Sequence, residues 1–252
     1  MTEIVILTGT GAHTDPWHAL DATSERVAEV LGEAWADADT DTDTDTDGAE
    51  LTTVRVTAVT TDDDVAAALD GAGLVIVNVS GDLATEPVDS SAIVDALLAH
   101  TGRGGGVVAL HSSALAFGDD PRWAELAGGR WVPGVTMHPQ IGHALVQAAD
   151  GEAAAGLTDF VVYDERYTAL ERDPATEVLA FHTEDGLAHP LVWRRSTASG
   201  ARVAYDALGH GVESYDSAAR CGLLLGLVSW AAGADDGRAG RALGAGGAAT
   251  AA

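Results

Sequence analysis

Gly104, Gly105 and Gly106 lead into Val107, Val108, Ala109 and Leu110, and this apolar run stops at His111, Ser112 and Ser113. The run has the length and unbroken apolarity of a strand buried on both faces, which points to a parallel sheet covered by helices. Ala109 and Ser113 stand two positions either side of His111. That spacing lets a central side chain project from a tight strand-to-helix elbow, because only small neighbours fit beneath it. An imidazole at the centre cannot carry out acyl transfer as serine or cysteine would, so an acyl-transfer scaffold is expected here without acyl-transfer chemistry.

The rest of the chain agrees with that strand. Ile4, Val5, Ile6 and Leu7 form a second buried run; Asp15 and Pro16 read as N-cap and first helical residue, with Trp17, Leu20, Val27 and Leu31 as the apolar stripe of the first helix. Further strands are expected at 51–59, 74–79 and 107–110, with a helix carrying Ile93, Val94, Leu97 and Leu98 that Gly102 stops. Four β-α alternations predict an α/β fold with a doubly wound, mostly parallel sheet. The second half adds short strands at 159–163, 177–181, 190–193 and 202–205, and a last helix over 217–232 turns Leu224, Leu227, Val228 and Ala231 inward. One domain over 1–233 is expected. Within it, the Thr/Asp alternation of 36–50 reads as a disordered acidic loop, since a calcium loop would need a turn glycine and a closing bidentate Glu. The Gly/Ala-rich 234–252 reads as a flexible tail.

Composition narrows the partners. The 252 residues carry 39 Asp and Glu against 13 Arg and no Lys, a formal net charge of −26, which repels nucleic acid and anionic membranes. This excess is consistent with either a GC-rich genome or a salt-adapted surface. The single Cys221 forbids an internal disulfide and sits in a predicted helix among Leu223, Leu224 and Leu225, as inert packing. No basic leader or membrane-length apolar run is present, so a cytoplasmic location is expected. Nucleotide binding is not supported: Gly9 and Gly11 lack a third glycine at Thr14, and no Gly-Lys-Ser/Thr follows.

Histidine is the informative residue type. His18 follows the first strand, His111 occupies the elbow, His138 sits in a Thr-Met-His-Pro segment and His210 follows a late strand, all places that face the crevice of an open α/β sheet. Imidazole serves either as acid or base near neutral pH or as a ligand for a divalent ion such as zinc, and both roles stay open for His18, His111 and His210. Asp164, Glu165, Arg166 and Tyr167 offer a polar wall for sugar hydroxyls, with Glu165 as acid, base or ligand, Asp164 and Tyr167 as substrate-binding groups, and His189 within reach. Ser112, beside His111, is either a substrate contact or, with His210 and an aspartate, an esterase nucleophile; Leu110 two residues before it is too large for an elbow centred there.

These motifs, with Trp123 to Leu126, Gly128 and Gly129, Pro190 to Trp193 and Arg202 to His210, resemble the ThuA-like (trehalose utilisation) proteins over residues 3–232. The resemblance implies a flavodoxin-like, class I glutamine amidotransferase-like fold without the nucleophilic cysteine. It also implies a role in carbohydrate catabolism on a disaccharide or 3-keto sugar supplied by a partner sugar dehydrogenase. His18, His111, Glu165 and His210 are then the expected catalytic set, with His138, Tyr167, Asp164 and Ser112 around the substrate. A homo-oligomer is compatible with this reading. The chain departs from the family at 152–157, where Glu152 and three alanines replace a His-Pro pair, which leaves that loop without an assigned role. The rival expectation is a non-catalytic sugar-binding or assembly protein on the same shell.

Overall fold

A computed structural model describes residues 2–38, 51–59, 62–84 and 88–235. The first half alternates as expected: β1 (Thr2–Gly9), α1 (Leu20–Ala38), β2 (Leu51–Val59), α2 (Asp62–Ala68), β3 (Leu74–Asn78), α3 (Ser91–Gly102) and β4 (Gly106–Leu110). Every residue of β3 and β4 is buried, as continuous apolar strands must be when helices cover both faces. After α4 (Pro121–Ala127) come β5 (Gly129–Arg130), β6 (Gly142–Ala148), β7 (Phe160–Asp164), β8 (Glu171–Arg172), β9 (Glu177–Glu184), β10 (Leu187–Ser196), β11 (Arg202–Asp206) and α5 (Ala218–Ala231). α4 begins where Asp120 accepts the Arg122 N–H with proline at the first position, and ends at Gly128 in the left-handed region.

Among the described residues nine strands form one sheet in the order β2-β1-β3-β4-β11-β10-β9-β6-β7, and β5 pairs with β8 in a small second sheet. The first five strands are parallel. The last four are antiparallel, so the second half of the chain extends the parallel core with hairpin-like strands. α1 packs against α5, while α2 contacts α3 and α3 contacts α4, giving helices on either side of the sheet. The strand order reverses between β1 and β3, and the loops beyond the strands' C-terminal ends there border a crevice. Among the described residues no helix is long and apolar enough to cross a membrane.

Three expectations need adjustment. α1 starts at Leu20 and not at Pro16, and Trp17 is 64% exposed, outside the buried stripe of Leu20, Val27 and Leu31. Asp15 does accept backbone N–H groups, from Trp17 and His18, but as a local turn, with its other oxygen committed to His18 and Ser80. The helix extends through Ala38, so 36–38, expected in the acidic loop, are helical, as alanine favours. The acidic repeat from Asp39 onward and the tail from 236 lie outside the described residues. β6 was not foreseen, since its glycine, histidine and glutamine have little strand preference; burial of Ala144 and Val146 against β9 and β7 makes it a strand.

Candidate active site

His111 directly follows β4 with φ +41°, a left-handed conformation that a non-glycine residue adopts only when its surroundings impose it. Its backbone carbonyl accepts the Tyr205 hydroxyl at 2.8 Å, and its Nδ1 donates to the Ala207 carbonyl at 2.7 Å, so β11 grips the elbow from two sides. A carbonyl can only accept, which places the His111 proton on Nδ1 and leaves Nε2 facing the crevice. There Nε2 lies 2.9 Å from the Tyr167 hydroxyl and 3.1 Å from His18 Nε2. Tyr167, buried, stacks on the His111 ring at 4.5 Å and meets Trp131 edge-on at 4.9 Å.

His18 reaches the same point from the loop after β1. Its Nδ1 lies 2.6 Å from Asp15 Oδ2, which also accepts the Ser80 hydroxyl. Burial lowers the His18 pKa, against the Asp15 hydrogen bond and with help from the nearby His111. Burial alone would raise the Asp15 carboxyl, but hydrogen bonds from His18 and Ser80 outweigh it and hold the carboxyl at about 2.

Glu165, directly after β7, turns Oε2 toward His210 Nδ1 at 3.3 Å and His111 Nε2 at 3.6 Å, and Oε1 toward His138 Nδ1 at 3.5 Å. Burial disfavours its charge, yet the neighbouring His111 and His210 imidazoles prevail and hold the carboxyl well below the usual carboxylate range. The Glu165 carboxylate beside it in turn raises His210, against burial. Gly209 enters this corner at φ +111°, where a Cβ would stand 2.7 Å from the Tyr215 hydroxyl, so glycine is required just ahead of His210.

One candidate ligand atom from each of His18, His111, Glu165 and His210 lies within 4.8 Å of the others, although the residues span nearly the whole chain. His138 stands at the rim with its side chain 34% exposed; its Nδ1 donates to the Pro139 carbonyl at 3.0 Å and within the cluster meets the outer oxygen of Glu165. Asp164 and Ser112, expected at the substrate, are turned away from it. The Asp164 oxygens accept backbone N–H groups of Glu165, Gly209 and His210 and the Ser214 hydroxyl, and Ser112, fully buried, donates to the Val79 carbonyl. The Ser112 esterase reading gains no support from this geometry, since its hydroxyl is buried and bonded to the Val79 carbonyl. His189 accepts the Ala169 N–H at 3.2 Å and lies against His182, outside the cluster. Asp15, Ser80 and Trp131 join the site without a sequence signal for it: Asp15 before Pro16 reads as a helix cap, and the other two carry no local signal.

The family model for ThuA, described as trehalose utilisation, matches residues 3–231. A search of curated proteins finds no match. Among solved structures, a ThuA-like protein from Parabacteroides merdae is similar at a TM-score of 0.66 and 17% identity, over 92% of this chain and 90% of that one. A ThuA-like protein from Bacteroides uniformis gives 0.55 and 18%, over 85% and 84%. A β-galactosidase from Rahnella sp. R3 gives 0.55 and 16%, but the 85% of this chain that aligns corresponds to only 30% of that enzyme. At such identities the structural likeness concerns the fold alone.

Proposed function

Because the chain belongs to the ThuA (trehalose utilisation) family, we propose that it acts on a carbohydrate, a disaccharide or a 3-keto sugar derivative, at a divalent-metal centre formed by His18, His111, His210 and Glu165. One observation carries this reading. His18 and His111 both have Nδ1 bound to groups that only accept, so their Nε2 lone pairs face each other at 3.1 Å. Facing lone pairs repel; the Tyr167 hydroxyl, 2.9 Å from His111 Nε2, can donate to one of them, and a shared proton or a cation reached by both makes the contact between the two favourable. Burial opposes protonating His18, and a carboxylate oxygen and a further buried imidazole nitrogen without a hydrogen-bond partner stand alongside, which favours the cation. The 3.1 and 3.3 Å separations are close to the ~3.3 Å ligand-to-ligand edge of a tetrahedral site with bonds of about 2.0–2.1 Å. Three imidazoles and one carboxylate suit zinc or another first-row divalent ion.

The chemistry suited to such a site on a keto-sugar glycoside is elimination. A base takes the proton from the carbon beside the carbonyl, and the electron pair moves onto the carbonyl oxygen as an enolate. Collapse of the enolate breaks the glycosidic C–O bond, and the departing alcohol takes up a proton. When bound, the ion supplies a positive charge for the enolate oxygen. Glu165 Oε1, the oxygen that does not face His111 or His210, would be the base. His138, at the rim and 3.5 Å from Glu165 Oε1, is placed to deliver the proton to the leaving alcohol. The elimination implies a dehydrogenase upstream to introduce the ketone. The experiment is a screen of keto-disaccharides and their unoxidised parents against metal-loaded protein, with the His111→Ala variant as control. Turnover of the keto compounds alone, lost in the variant, supports the reading; binding of sugars with no turnover leaves the chain a sugar-binding protein.

A further inference from the structure

Asp15 is the one carboxylate in the loop between β1 and α1, its side chain 1% accessible, and it lies three residues ahead of His18. Oδ1 accepts the backbone N–H groups of Trp17 at 2.8 Å and His18 at 3.0 Å. Oδ2 faces His18 Nδ1 at 2.6 Å and accepts the hydroxyl of Ser80, just beyond β3. A carboxylate offers about four lone-pair sites, and all four are used. The segment is held further where the Ser80 N–H donates to the His13 carbonyl at 2.9 Å. The loop that carries His18 is therefore tied to the neighbouring strand of the sheet through one side chain.

Building on the metal reading above, we propose that Asp15 is a positioning residue of the site, which sets both the direction and the tautomer of His18 so that its Nε2 lone pair points at His111, His210 and Glu165. A carboxylate has no hydrogen to give, so the proton between Asp15 and His18 resides on His18 Nδ1. The two backbone N–H groups on Oδ1 stop the carboxylate from turning, and the ring follows it. Carboxylates behind metal-bound imidazoles do this work generally, and losing one weakens metal affinity by about 10–100-fold.

The substitution Asp15→Asn gives the idea a sharp test, because the amide has only one acceptor. Its oxygen must stay on the two backbone N–H groups, which turns the amide NH2 toward His18 Nδ1. His18 must then accept there and carry its proton on Nε2, aimed at the site. The His18 N–H then donates to His111 Nε2, which keeps that contact satisfied, but the lone pair is gone. Ser80→Ala, by contrast, removes one hydrogen bond from Asp15 and leaves the tautomer as it was.

Two-bond 1H–15N imidazole spectra of metal-free wild type, D15N and S80A, with His18→Gln to assign the signal, read the tautomer directly; calorimetric titration with Zn2+ reads affinity. The expected result is Nδ1–H in wild type and S80A, Nε2–H in D15N, and Zn2+ affinity about 10–100-fold lower in D15N. Nε2–H in wild type overturns the proposal, and so do an unchanged tautomer and affinity in D15N. If D15N does not fold, the wild-type spectrum still decides. Should wild type bind no Zn2+ while the tautomers follow the expected pattern, the metal reading fails and the role of Asp15 in placing His18 stands.

Discussion

The carboxylate of Asp164 accepts the backbone N–H of His210 at 3.1 Å, across 46 residues of sequence, and so fixes the ends of β7 and β11 to each other. The same side chain accepts the Glu165 N–H at 2.9 Å, the Gly209 N–H at 2.8 Å and the Ser214 hydroxyl at 2.5 Å. Glu165 and His210 thus owe their relative placement to a buried group that touches neither of their side chains.

Replacing Asp164 is expected to be costly even by asparagine. Each oxygen faces two donors, so whichever side the amide nitrogen takes, it meets donors it cannot satisfy. Both D164N and D164A should lose about 2 kcal/mol or more in urea unfolding, from buried N–H groups left without acceptors. S214A, which removes one donor and strands no acceptor completely, should cost less. Equal stability of D164N and wild type would contradict this account.

Asp206 and Arg220 pair at 3.0 Å with both side chains fully buried, and the guanidinium lies 4.9 Å from the Tyr215 ring. Arg220→Met removes the countercharge and leaves Asp206 in the core, at an expected cost of about 3–5 kcal/mol. Changing Asp206→Asn in the same chain should return part of that loss, because the stranded charge is then gone. A denaturant midpoint for R220M equal to wild type would show the pair to be immaterial.

Acid sensitivity follows from Asp15. Burial favours its neutral form, but the His18 and Ser80 hydrogen bonds hold the folded pKa at about 2, below the unfolded value of about 4. A depressed folded pKa contributes stability that is complete above the unfolded value and disappears as pH falls through the folded one. The stability gap between wild type and D15N should therefore be constant above about pH 5 and shrink between about pH 4 and 2. Urea melts across that range measure it, and a gap independent of pH would assign the effect to packing.

The chain should show neither esterase nor glutaminase chemistry. Ser112 is fully buried and bonded to the Val79 carbonyl, and Cys221 is half-buried, with its thiol donating to the Tyr215 carbonyl and pushed up by burial. Mass spectrometry after treatment with a fluorophosphonate and a thiol-directed glutamine analogue should find no adduct on either. Stoichiometric label on Ser112 would reverse the placement of the elbow.

Much of this was legible because strands announce themselves and the crevice lies at their ends. His18, His111, Glu165 and His210 each follow a recognisable apolar run, and parallel topology brings such positions together. Asp164 was misjudged although its place was readable: Phe160, Val162 and Asp164 share one face of β7, so an inward apolar pattern takes Asp164 inward with it. Other links had no local trace. The grip of Ala207 on His111 spans 96 residues, and that of Asp15 on Ser80 spans 65, so neither can be seen in spacing or periodicity. Asp15 followed by proline looks like a helix start, and only the contact with Ser80 shows why α1 waits until Leu20.

If His18, His111, His210 and Glu165 together hold a divalent ion, equilibrium dialysis against Zn2+ followed by metal analysis must reveal it. Wild type should retain one ion per chain, while His111→Ala and His18→Ala should retain none under the same conditions with their folds intact by circular dichroism. A wild-type chain that retains no ion, or variants that retain as much as wild type, would contradict a metal centre there.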